Sequence, residues 1–527
     1  MTRENRNYLH RLIYIHSLLL AAVALPVSEF LLSLSQFFLA ANWLTEGNFK
    51  AKWQRLKTNK PLLIFLMLFF IHLIWLINTV NFAYALHDIK IKLPLLVLPV
   101  IISTTPSLSR EEFFKILRYF NNSVFVATLI MFALYWGCCG FEYTNVRNIS
   151  VFISHIRFSL MLVFSIFIYL YFLVTNNGYL QHRHKMAIYA FFILWQVFFL
   201  FLLHARTGLL IFFLLLPFFL LWAGWKVASK PVFRILYLLI VITVIIIPVS
   251  YVSYVVKNFY RTDSLNPSAL PVYTPHHHPY YHNPSSGILE NGHYVWTYIS
   301  YPELKAGWEK ISEIPFDSLD KKGQRIKFTL IRYLTSKGLT KDAEGIAQLT
   351  PEDVKLIENG ETNYLAQNKF SLYYLIYRIV WEIDVYRKTG NANNHSVTQR
   401  YEFLKVASSI IKEHFWFGTG TGDVNDEYLK KYQAGLSSLH PQHWLRAHNQ
   451  FVTFWVTFGI TGLVLALIAI FLPPALTGTY RLFLFNLFLA IIFFSFLNED
   501  TLETQMGVTF FSFFYTIFVF GYQNSRL

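Results

Sequence analysis

The sequence predicts an all-α polytopic membrane protein, with about twelve transmembrane helices and one large, mainly helical extramembrane region. Of its 527 residues, 54% are hydrophobic and only 14% are charged, whereas soluble domains carry about 25% charged residues. Phe alone occurs 52 times, and a water-soluble fold could not bury that much apolar surface. The apolar residues also form runs of the length that crosses a bilayer, about 20 residues per helix.

Twelve apolar segments are candidates for membrane spans. They lie near residues 10–26, 28–44, 61–80, 92–105, 122–139, 157–175, 187–203, 207–223, 234–254, 449–472, 481–497 and 506–522. The second and fourth are the weakest, and the fourth is short and contains Pro94 and Pro99. The first run lacks a small-residue cleavage site, so we expect a membrane helix there rather than a cleaved signal peptide.

A basic segment after the second span, residues 46–60, orients the chain. Its basic side chains are Lys50, Lys52, Arg55, Lys57 and Lys60. The positive-inside rule places such a segment in the cytoplasm. Alternation of the spans then puts both termini in the cytoplasm, and it puts residues 141–157, 204–206 and 257–447 on the periplasmic or outer side.

These assignments divide the chain into three parts. Residues 1–256 hold the first nine spans, residues 257–447 form a large periplasmic loop domain, and residues 448–527 hold the last three spans. Loops of that length are usually functional. Within the loop, Thr350 followed by Pro351 is typical of a helix start, whereas residues 261–283 have an irregular composition.

The formal charge of +15 would suggest a nucleic-acid partner in a soluble protein. Here the basic residues are dispersed along the chain, so we expect them to contact membrane lipid head groups, and no nucleic acid. The two cysteines, Cys138 and Cys139, are adjacent, which gives no disulfide framework.

Arg206 stands where one apolar run stops and the next begins, and the next helix is predicted to start at about Thr207. A positive charge at a helix N-terminus is unfavourable unless an anion binds there, which points to phosphate binding. The alternative is an arginine that reaches toward lipid head groups.

His448 stands where the long loop re-enters the membrane, between Arg446 and Asn449. A histidine at that boundary could act as a base or a hydrogen-bond partner, or it could be an interfacial anchor. Arg400, at the start of a predicted helix over residues 400–417, could bind substrate or be a solvated charge. The same choice holds for His155 and Arg157 at the outer end of the sixth span.

Metal and nucleotide sites are not predicted. His276, His277 and His278 are consecutive in a Pro-rich stretch, which is not a spacing that converges on one ion. The glycine run at residues 418–422, Gly-Thr-Gly-Thr-Gly, lacks the Lys-Ser/Thr that follows a nucleotide-binding loop. An Asp-x-Asp pair, which a metal-dependent sugar-nucleotide transferase would use, is missing from the sequence.

Two motifs resemble the O-antigen ligase family. Its His-Asn/Ser/Gln, nine residues, Gly-x-x-Gly signature matches His448, Asn449, Gly459 and Gly462. Its Arg-x-x-x-Leu element matches Arg206 to Leu210. Residues 400–422 are also similar to the stretch where family members carry another arginine and a Pro-Leu-Gly-x-Gly turn, although Trp416 and Phe417 stand here in place of Pro-Leu.

The resemblance implies an inverting glycosyltransferase with a GT-C-like arrangement of helices, which needs no metal and no cofactor. Its donor would be a glycan on undecaprenyl diphosphate, its acceptor lipid A–core oligosaccharide or another hydroxyl compound, and its place the bacterial inner membrane. Arg206 and Arg400 would bind the diphosphate, and His448 would activate the acceptor hydroxyl. The remaining candidates for the substrate-binding site are His155, Arg157, Arg446 and Asn449.

Several alternatives stay open at the level of sequence. Relatives with the same core include O-antigen polymerases and protein O-oligosaccharyltransferases, which differ in the acceptor. A transporter of lipid-linked glycans would also suit twelve spans, but the chain lacks an inverted repeat and has few charges inside the spans. A non-catalytic scaffold in an envelope complex would tolerate substitutions of Arg206 and His448. The sugars, the oligomeric state and the role of the His276–His278 cluster are not indicated.

Overall fold

The computed structural model describes residues 3–137, 149–175, 184–227, 231–262, 265–368 and 371–522. Cys138, Cys139 and residues 141–148 of the predicted outer stretch lie outside these ranges. The described chain is helical, apart from short 3-10 turns, connecting segments and one two-stranded hairpin, in which Leu289–Glu290 (β1) pairs antiparallel with His293–Tyr294 (β2).

Twenty-one α-helices make up the described fold. The first eleven are α1 (Arg3–Ala24), α2 (Glu29–Glu46), α3 (Phe49–Thr58), α4 (Lys60–Ile74), α5 (Phe82–Lys92), α6 (Pro94–Thr104), α7 (Arg110–Tyr135), α8 (His155–Thr175), α9 (His184–Leu202), α10 (Arg206–Val227) and α11 (Pro231–Phe259). The other ten are α12 (Tyr301–Ile311), α13 (Ile326–Ser336), α14 (Ala343–Ala347), α15 (Pro351–Glu358), α16 (Leu372–Thr389), α17 (Ser396–Glu413), α18 (Val424–Gln433), α19 (Gln450–Leu476), α20 (Phe483–Asn498) and α21 (Gln505–Thr516).

Six of the described helical segments are long and apolar enough to cross a membrane. They are Lys60–Asn78, Arg110–Tyr135, His155–Thr175, Arg206–Lys226, Arg234–Phe259 and Gln450–Leu476, and three shorter apolar helices accompany them. The prediction of an all-α polytopic membrane protein is therefore confirmed. Each of the twelve predicted spans falls on a helix, but α6 has only 11 residues, so the count of twelve crossings stays a prediction.

The chain packs into two compact units. The first contains Met1–Val241, Phe403–Ser437 and Trp444–Leu527, and the second contains Ile242–Glu402 and Ser438–His443. This division follows packing and not the side of the membrane. The predicted boundaries at residues 257 and 447, which concern the membrane surface, therefore stay a prediction.

Aromatic side chains fill the centre of the first unit. The rings of Phe120 and Phe164 lie 4.8 and 5.0 Å from that of Phe514, which joins α7, α8 and α21. Phe488 of α20 adds a ring 5.6 Å from Phe510. Helices in a bilayer gain little from hydrophobic burial against one another, so close packing and edge-to-face ring contacts stabilise such a bundle.

Helix α19 is broken at Gly459, whose φ of 66° and ψ of −175° are not helical. A Cβ at this glycine would lie 2.2 Å from the carbonyl of Trp416, so the position needs both the backbone freedom and the small size of glycine. At Gly462, a Cβ would lie 2.2 Å from the Cβ of Phe458. The Gly-x-x-Gly spacing therefore marks a break in a membrane helix.

The glycine run at residues 418–422 and Phe415 just before it supply hydrogen bonds that the broken helix lacks. The bonds run from Thr419 N to Val456 O (2.9 Å), from Gly420 N to Thr457 O (3.0 Å) and from Ile460 N to Phe415 O (2.8 Å). Broken helices are tolerated at membrane depth where protein groups satisfy the freed backbone. The glycine run thus has a packing role in this fold and is not a phosphate cradle.

The second unit has its own apolar core and contains local features that were predicted from the sequence. Trp308 of α12 and Leu330 of α13 are fully buried there. Thr350 caps α15 in a reciprocal capping box with Asp353, and Pro351 is the first helical residue, which confirms the predicted helix start. Residues 265–283 contain only a 3-10 turn and isolated bridges, as their composition predicts.

Candidate active site

Charged side chains from three parts of the first unit meet beside the start of α19. The loop before α19 supplies Arg446 and His448, the start of α8 supplies Arg157, and the segment after α20 supplies Glu499 and Asp500. Charges buried among apolar helices are costly, so they are kept where they pair or function. We call these five residues the His448 cluster.

His448 is held in an uncommon backbone conformation, with φ of 46°. Its Nδ1 lies 3.6 Å from Asp500 Oδ1 and 4.0 Å from Glu499 Oε2, and its side chain remains 30% exposed. A non-glycine residue with positive φ in a functional region is a form of stored strain. The imidazole is therefore fixed against two carboxylates and still reachable from outside.

Asn449 anchors His448 at the N-terminus of α19. Its side-chain oxygen accepts a hydrogen bond from Val452 N (3.0 Å), and its Nδ2 donates to Leu497 O (2.9 Å). An asparagine at this position satisfies a helix-end N–H group that would otherwise lack a partner. The second residue of the His-Asn motif is thus a helix cap that also ties α19 to α20.

Asp500 is the centre of the cluster's ion pairs. Its carboxylate lies 3.6 Å from Arg157 Nη2 and 3.8 Å from Arg446 Nη2, and Arg157 Nη1 lies 3.8 Å from Glu499. Although burial alone would raise it, the close His448 ring and the guanidinium groups of Arg446 and Arg157 hold the pKa of Asp500 well below its usual range. Asp500 is therefore an anion at neutral pH.

A second set of ion pairs fixes the segment that carries these acids. Arg446 Nη1 lies 3.5 Å from Glu503, and the buried Lys92 lies 3.1 Å from both Glu503 and Asp88. Lys92 Nζ also donates to Leu502 O (2.6 Å). Across the two sets, three fixed cations (Lys92, Arg157 and Arg446) face four carboxylates (Asp88, Glu499, Asp500 and Glu503). Together these seven groups carry one more negative than positive charge, so they can balance one further positive charge.

Arg206 begins α10 and is half-buried. The next residue, Thr207, accepts a hydrogen bond from Asn498 Nδ2 (2.8 Å), and Asn498 directly precedes Glu499. A Cβ at Gly208 would lie 2.6 Å from Ser159 Cβ, so α10 and α8 approach closely here. The Arg-Thr-Gly sequence therefore places the N-terminus of α10 next to the chain segment that carries the acids of the His448 cluster.

The remaining predicted site residues are His155 and Arg400. His155 begins α8, two residues before Arg157, and is half-buried. Arg400 lies in the part of the chain assigned to the second unit and is half-buried. The predicted helix start at Arg400 is wrong, because α17 begins at Ser396. The structure thus joins Arg157, Arg446 and His448 in one cluster, while a common site with Arg400 stays a prediction.

The three acids Glu499, Asp500 and Glu503 lie at the candidate site but are not among the residues predicted from the sequence. They stand in Asn-Glu-Asp-Thr-Leu-Glu, residues 498–503, between the last two apolar runs. Three acids in such a short link could have indicated a site from sequence, as His448 did, because charge at the end of a membrane span is costly.

His448, Glu499 and Asp500 are also the described residues whose ligand atoms lie close enough to hold a metal ion, within 4.8 Å of one another. Arg157 and Arg446 already pair with these carboxylates. Two guanidinium groups repel a divalent cation at that position, so the arrangement favours proton transfer over metal binding. In the second unit, His278 Nδ1 lies 2.9 Å from Glu303 Oε1, so one of the three consecutive histidines at residues 276–278 already has a carboxylate partner.

A cavity of about 410 Å³ opens beside the His448 cluster. Its lining includes Asn425, Tyr428, Tyr432, Trp444, His448 and Asp500. We call it the Trp444 cavity. A small ligand group in this cavity would lie next to His448.

Residues 362–467 match the family model described as O-antigen ligase. The match contains the glycine run, Arg446, His448 and the break at Gly459, and it covers 106 of the 527 residues. No curated protein sequence matches the chain. The match contains the His-Asn and Gly-x-x-Gly motif of the resemblance, whereas the element at Arg206 to Leu210 lies outside it. Residues 362–467 of this chain are thus similar to the O-antigen ligase family.

Proposed function

We propose that the chain is an inverting glycosyltransferase of the bacterial inner membrane, which moves a glycan from undecaprenyl diphosphate to a hydroxyl of lipid A–core. The observation that carries the proposal is His448, fixed against Asp500 at 3.6 Å and open to the Trp444 cavity. The residue lies in the segment that matches the O-antigen ligase family. The family match supports glycosyl transfer in general. The donor, the acceptor and the mechanism are part of the proposal.

His448 is the base in this mechanism. The acceptor hydroxyl attacks the anomeric carbon from the side opposite the diphosphate, and its proton passes to the imidazole. A new C–O bond forms as the bond to the diphosphate oxygen breaks, so the configuration at the anomeric carbon inverts. Asp500 and Glu499 stabilise the imidazolium that results. Help of this kind from a general base is worth about 10²–10⁴-fold in rate.

Arg206 is the proposed partner of the leaving diphosphate. Negative charge develops on the diphosphate oxygens as the glycosidic bond breaks, and a fixed cation near them lowers the barrier. The guanidinium group binds phosphate oxygens in a bidentate manner, and the N-terminus of α10 adds its own positive end. Arg400 is proposed as a second diphosphate ligand, so that no metal ion is required.

Arg157 and Arg446 take a different role in this proposal from the one predicted. Both guanidinium groups lie within 3.8 Å of buried carboxylates of the cluster. We infer that they position Glu499, Asp500 and Glu503 rather than bind phosphate. The positions of the acids in turn set the position of the His448 ring.

A glycolipid gel on a deletion strain tests the function in the cell. The strain is complemented with the wild-type protein, with His448→Ala, or with His276→Ala as a control at an exposed histidine of the second unit. We expect polymer on lipid A–core with the wild type and the control. With His448→Ala, we expect that polymer to disappear while long chains accumulate on the lipid carrier.

Other gel patterns would point to other functions. A single repeat unit still attached to the core would indicate a polymerase, and an unchanged lipopolysaccharide pattern in the deletion strain would contradict the ligase. Polymer retained with His448→Ala would show that the histidine does not act as the base.

A further inference from the structure

The Trp444 cavity has the size and lining of a small-molecule site. Its volume is about 410 Å³, within the range of about 300–1,000 Å³ that ligand pockets show. One wall is aromatic and the other end carries His448 and Asp500. Apolar walls with a few polar groups are what such sites use to bind and orient a ligand.

The aromatic wall consists of stacked rings. Trp444 lies on Tyr432 with ring centroids 5.3 Å apart and planes 6° apart, and Tyr428 lies 6.4 Å from Tyr432. Both tyrosines are almost fully buried, whereas Trp444 is half-buried. Trp444 is therefore the ring of the stacked pair that reaches the cavity. The face of an aromatic ring is electron-rich, so it attracts the polarised C–H groups on the flat side of a sugar ring.

The wall is fixed before any ligand arrives. The hydroxyl of Tyr432 donates to Leu445 O at 2.8 Å, and this bond ties α18 to the loop that carries Trp444 and His448. A binding surface that is already ordered loses less conformational entropy when a ligand binds. The same bond holds Trp444 at a constant position relative to the histidine.

The charges around the cavity suit a neutral, hydroxyl-rich group. Arg446 lines the cavity but pairs with Asp500 at 3.8 Å and with Glu503 at 3.5 Å. Asn425 contributes an amide at the exposed edge. These groups can exchange hydrogen bonds with sugar hydroxyls, and they offer no surplus of positive charge for a diphosphate.

We propose that the Trp444 cavity binds the terminal sugar ring of the acceptor glycan, stacked on Trp444 with its reacting hydroxyl at His448. This inference rests on the proposed function, because it assigns the acceptor a place within the same site. Trp444 is then a residue that determines acceptor binding, and Asn425 contributes hydrogen bonds. The donor diphosphate lies elsewhere, at Arg206.

Direct binding to the full-length protein in detergent tests this assignment without relying on catalysis. The probes are the delipidated core oligosaccharide, for the acceptor, and undecaprenyl diphosphate, for the donor, each titrated by calorimetry. Trp444→Ala should raise the Kd for the core oligosaccharide about tenfold, because it removes one ring contact, and leave the Kd for undecaprenyl diphosphate unchanged. Trp136→Ala, at a tryptophan that is 74% exposed, is the matched control.

A second variant covers the case in which Trp444→Ala perturbs folding through Tyr432. Asn425 is exposed, so Asn425→Ala should fold normally and still weaken binding of the core oligosaccharide. Unchanged affinity in both variants, or a loss confined to undecaprenyl diphosphate, would overturn the proposal. If the wild type binds the core oligosaccharide through Trp444 but forms no glycosidic bond, the sugar subsite stands and the proposed function fails.

Discussion

At the scale of single residues, an arginine's role follows from its neighbours. Arg157 and Arg446 pair with buried carboxylates, so their positive charges hold these acids in place. Arg206 stands at the start of α10, where the helix end favours an anion. The three residues look alike in sequence, since each lies at a boundary of an apolar run, and the structure shows which carboxylates Arg157 and Arg446 contact.

Alanine at Arg206 and at Arg157 should therefore have different effects. Arg206→Ala should lower transfer by about 10²–10³-fold, because it removes one stabilising partner of the leaving group. Arg157→Ala should destabilise the protein by about 3–5 kcal/mol, because Glu499 and Asp500 lose a buried partner. Transfer rates and thermal melting of the detergent-solubilised variants measure both. Near-normal transfer with Arg206→Ala would disprove the leaving-group role.

The histidine and the arginines could be predicted because each stands at a span end, where charge needs a reason. The acids could not be assigned in the same way. Glu499 and Asp500 lie in a six-residue link, and only the fold brings them to His448, which is about 50 positions earlier in the chain. Lys92 is a further case, because its partner Glu503 is distant in sequence and Lys92 itself is fully buried.

At the scale of secondary-structure elements, the family signature describes a particular helix. Asn449 caps α19, and Gly459 breaks it. The freed carbonyls then accept hydrogen bonds from the glycine run that follows α17. The spacing of nine residues between Asn449 and Gly459 sets the length of the first part of the helix, from the histidine to the break.

Gly459→Ala should destabilise the protein more than Gly478→Ala. Both glycines have positive φ, but a Cβ at Gly459 would lie 2.2 Å from the Trp416 carbonyl, whereas a Cβ at Gly478 would meet no atom within 4 Å. Backbone strain alone costs about 1–2 kcal/mol, and the clash should add about 1–3 kcal/mol. The comparison is a pair of thermal melts in detergent. Equal shifts in Tm would mean that the contact between α19 and the glycine run carries no energy.

Local signals predicted most elements, because apolar runs and cap residues act over a few positions. The Thr350 cap is an example. The break in α19 could not be predicted, because it depends on hydrogen bonds from residues about 40 positions away. The packing role of the glycine run could not be predicted for the same reason, since its partner segments are distant in sequence.

At the scale of the whole molecule, the proposed function requires that residues 257–447 face the periplasm. In the proposed reaction, the lipid-linked glycan lies on the periplasmic side. The basic segment at residues 46–60 is expected on the other side of the membrane, in the cytoplasm. The helices confirm a polytopic membrane protein, while the side of each loop stays a prediction.

Cysteine labelling in intact spheroplasts tests the orientation. Cys138 and Cys139 are first replaced by serine, and single cysteines are introduced as Lys57→Cys and His276→Cys. A membrane-impermeant thiol reagent should label position 276 from outside and label position 57 only after permeabilisation. The reverse pattern would invert the topology and remove the His448 cluster from the proposed reaction.

Transfer by the purified protein in liposomes is the most direct test of glycosyl transfer with His448 as the base. The assay supplies an undecaprenyl-diphosphate-linked glycan and lipid A–core, and it detects the new glycosidic bond by mass spectrometry. The wild type should form that bond, and His448→Ala should form it about 10²–10⁴-fold more slowly, with an unchanged Tm. No new bond with the wild type, or a normal rate with His448→Ala, would contradict the account: the first would favour a transporter or a different acceptor, and the second would require another base.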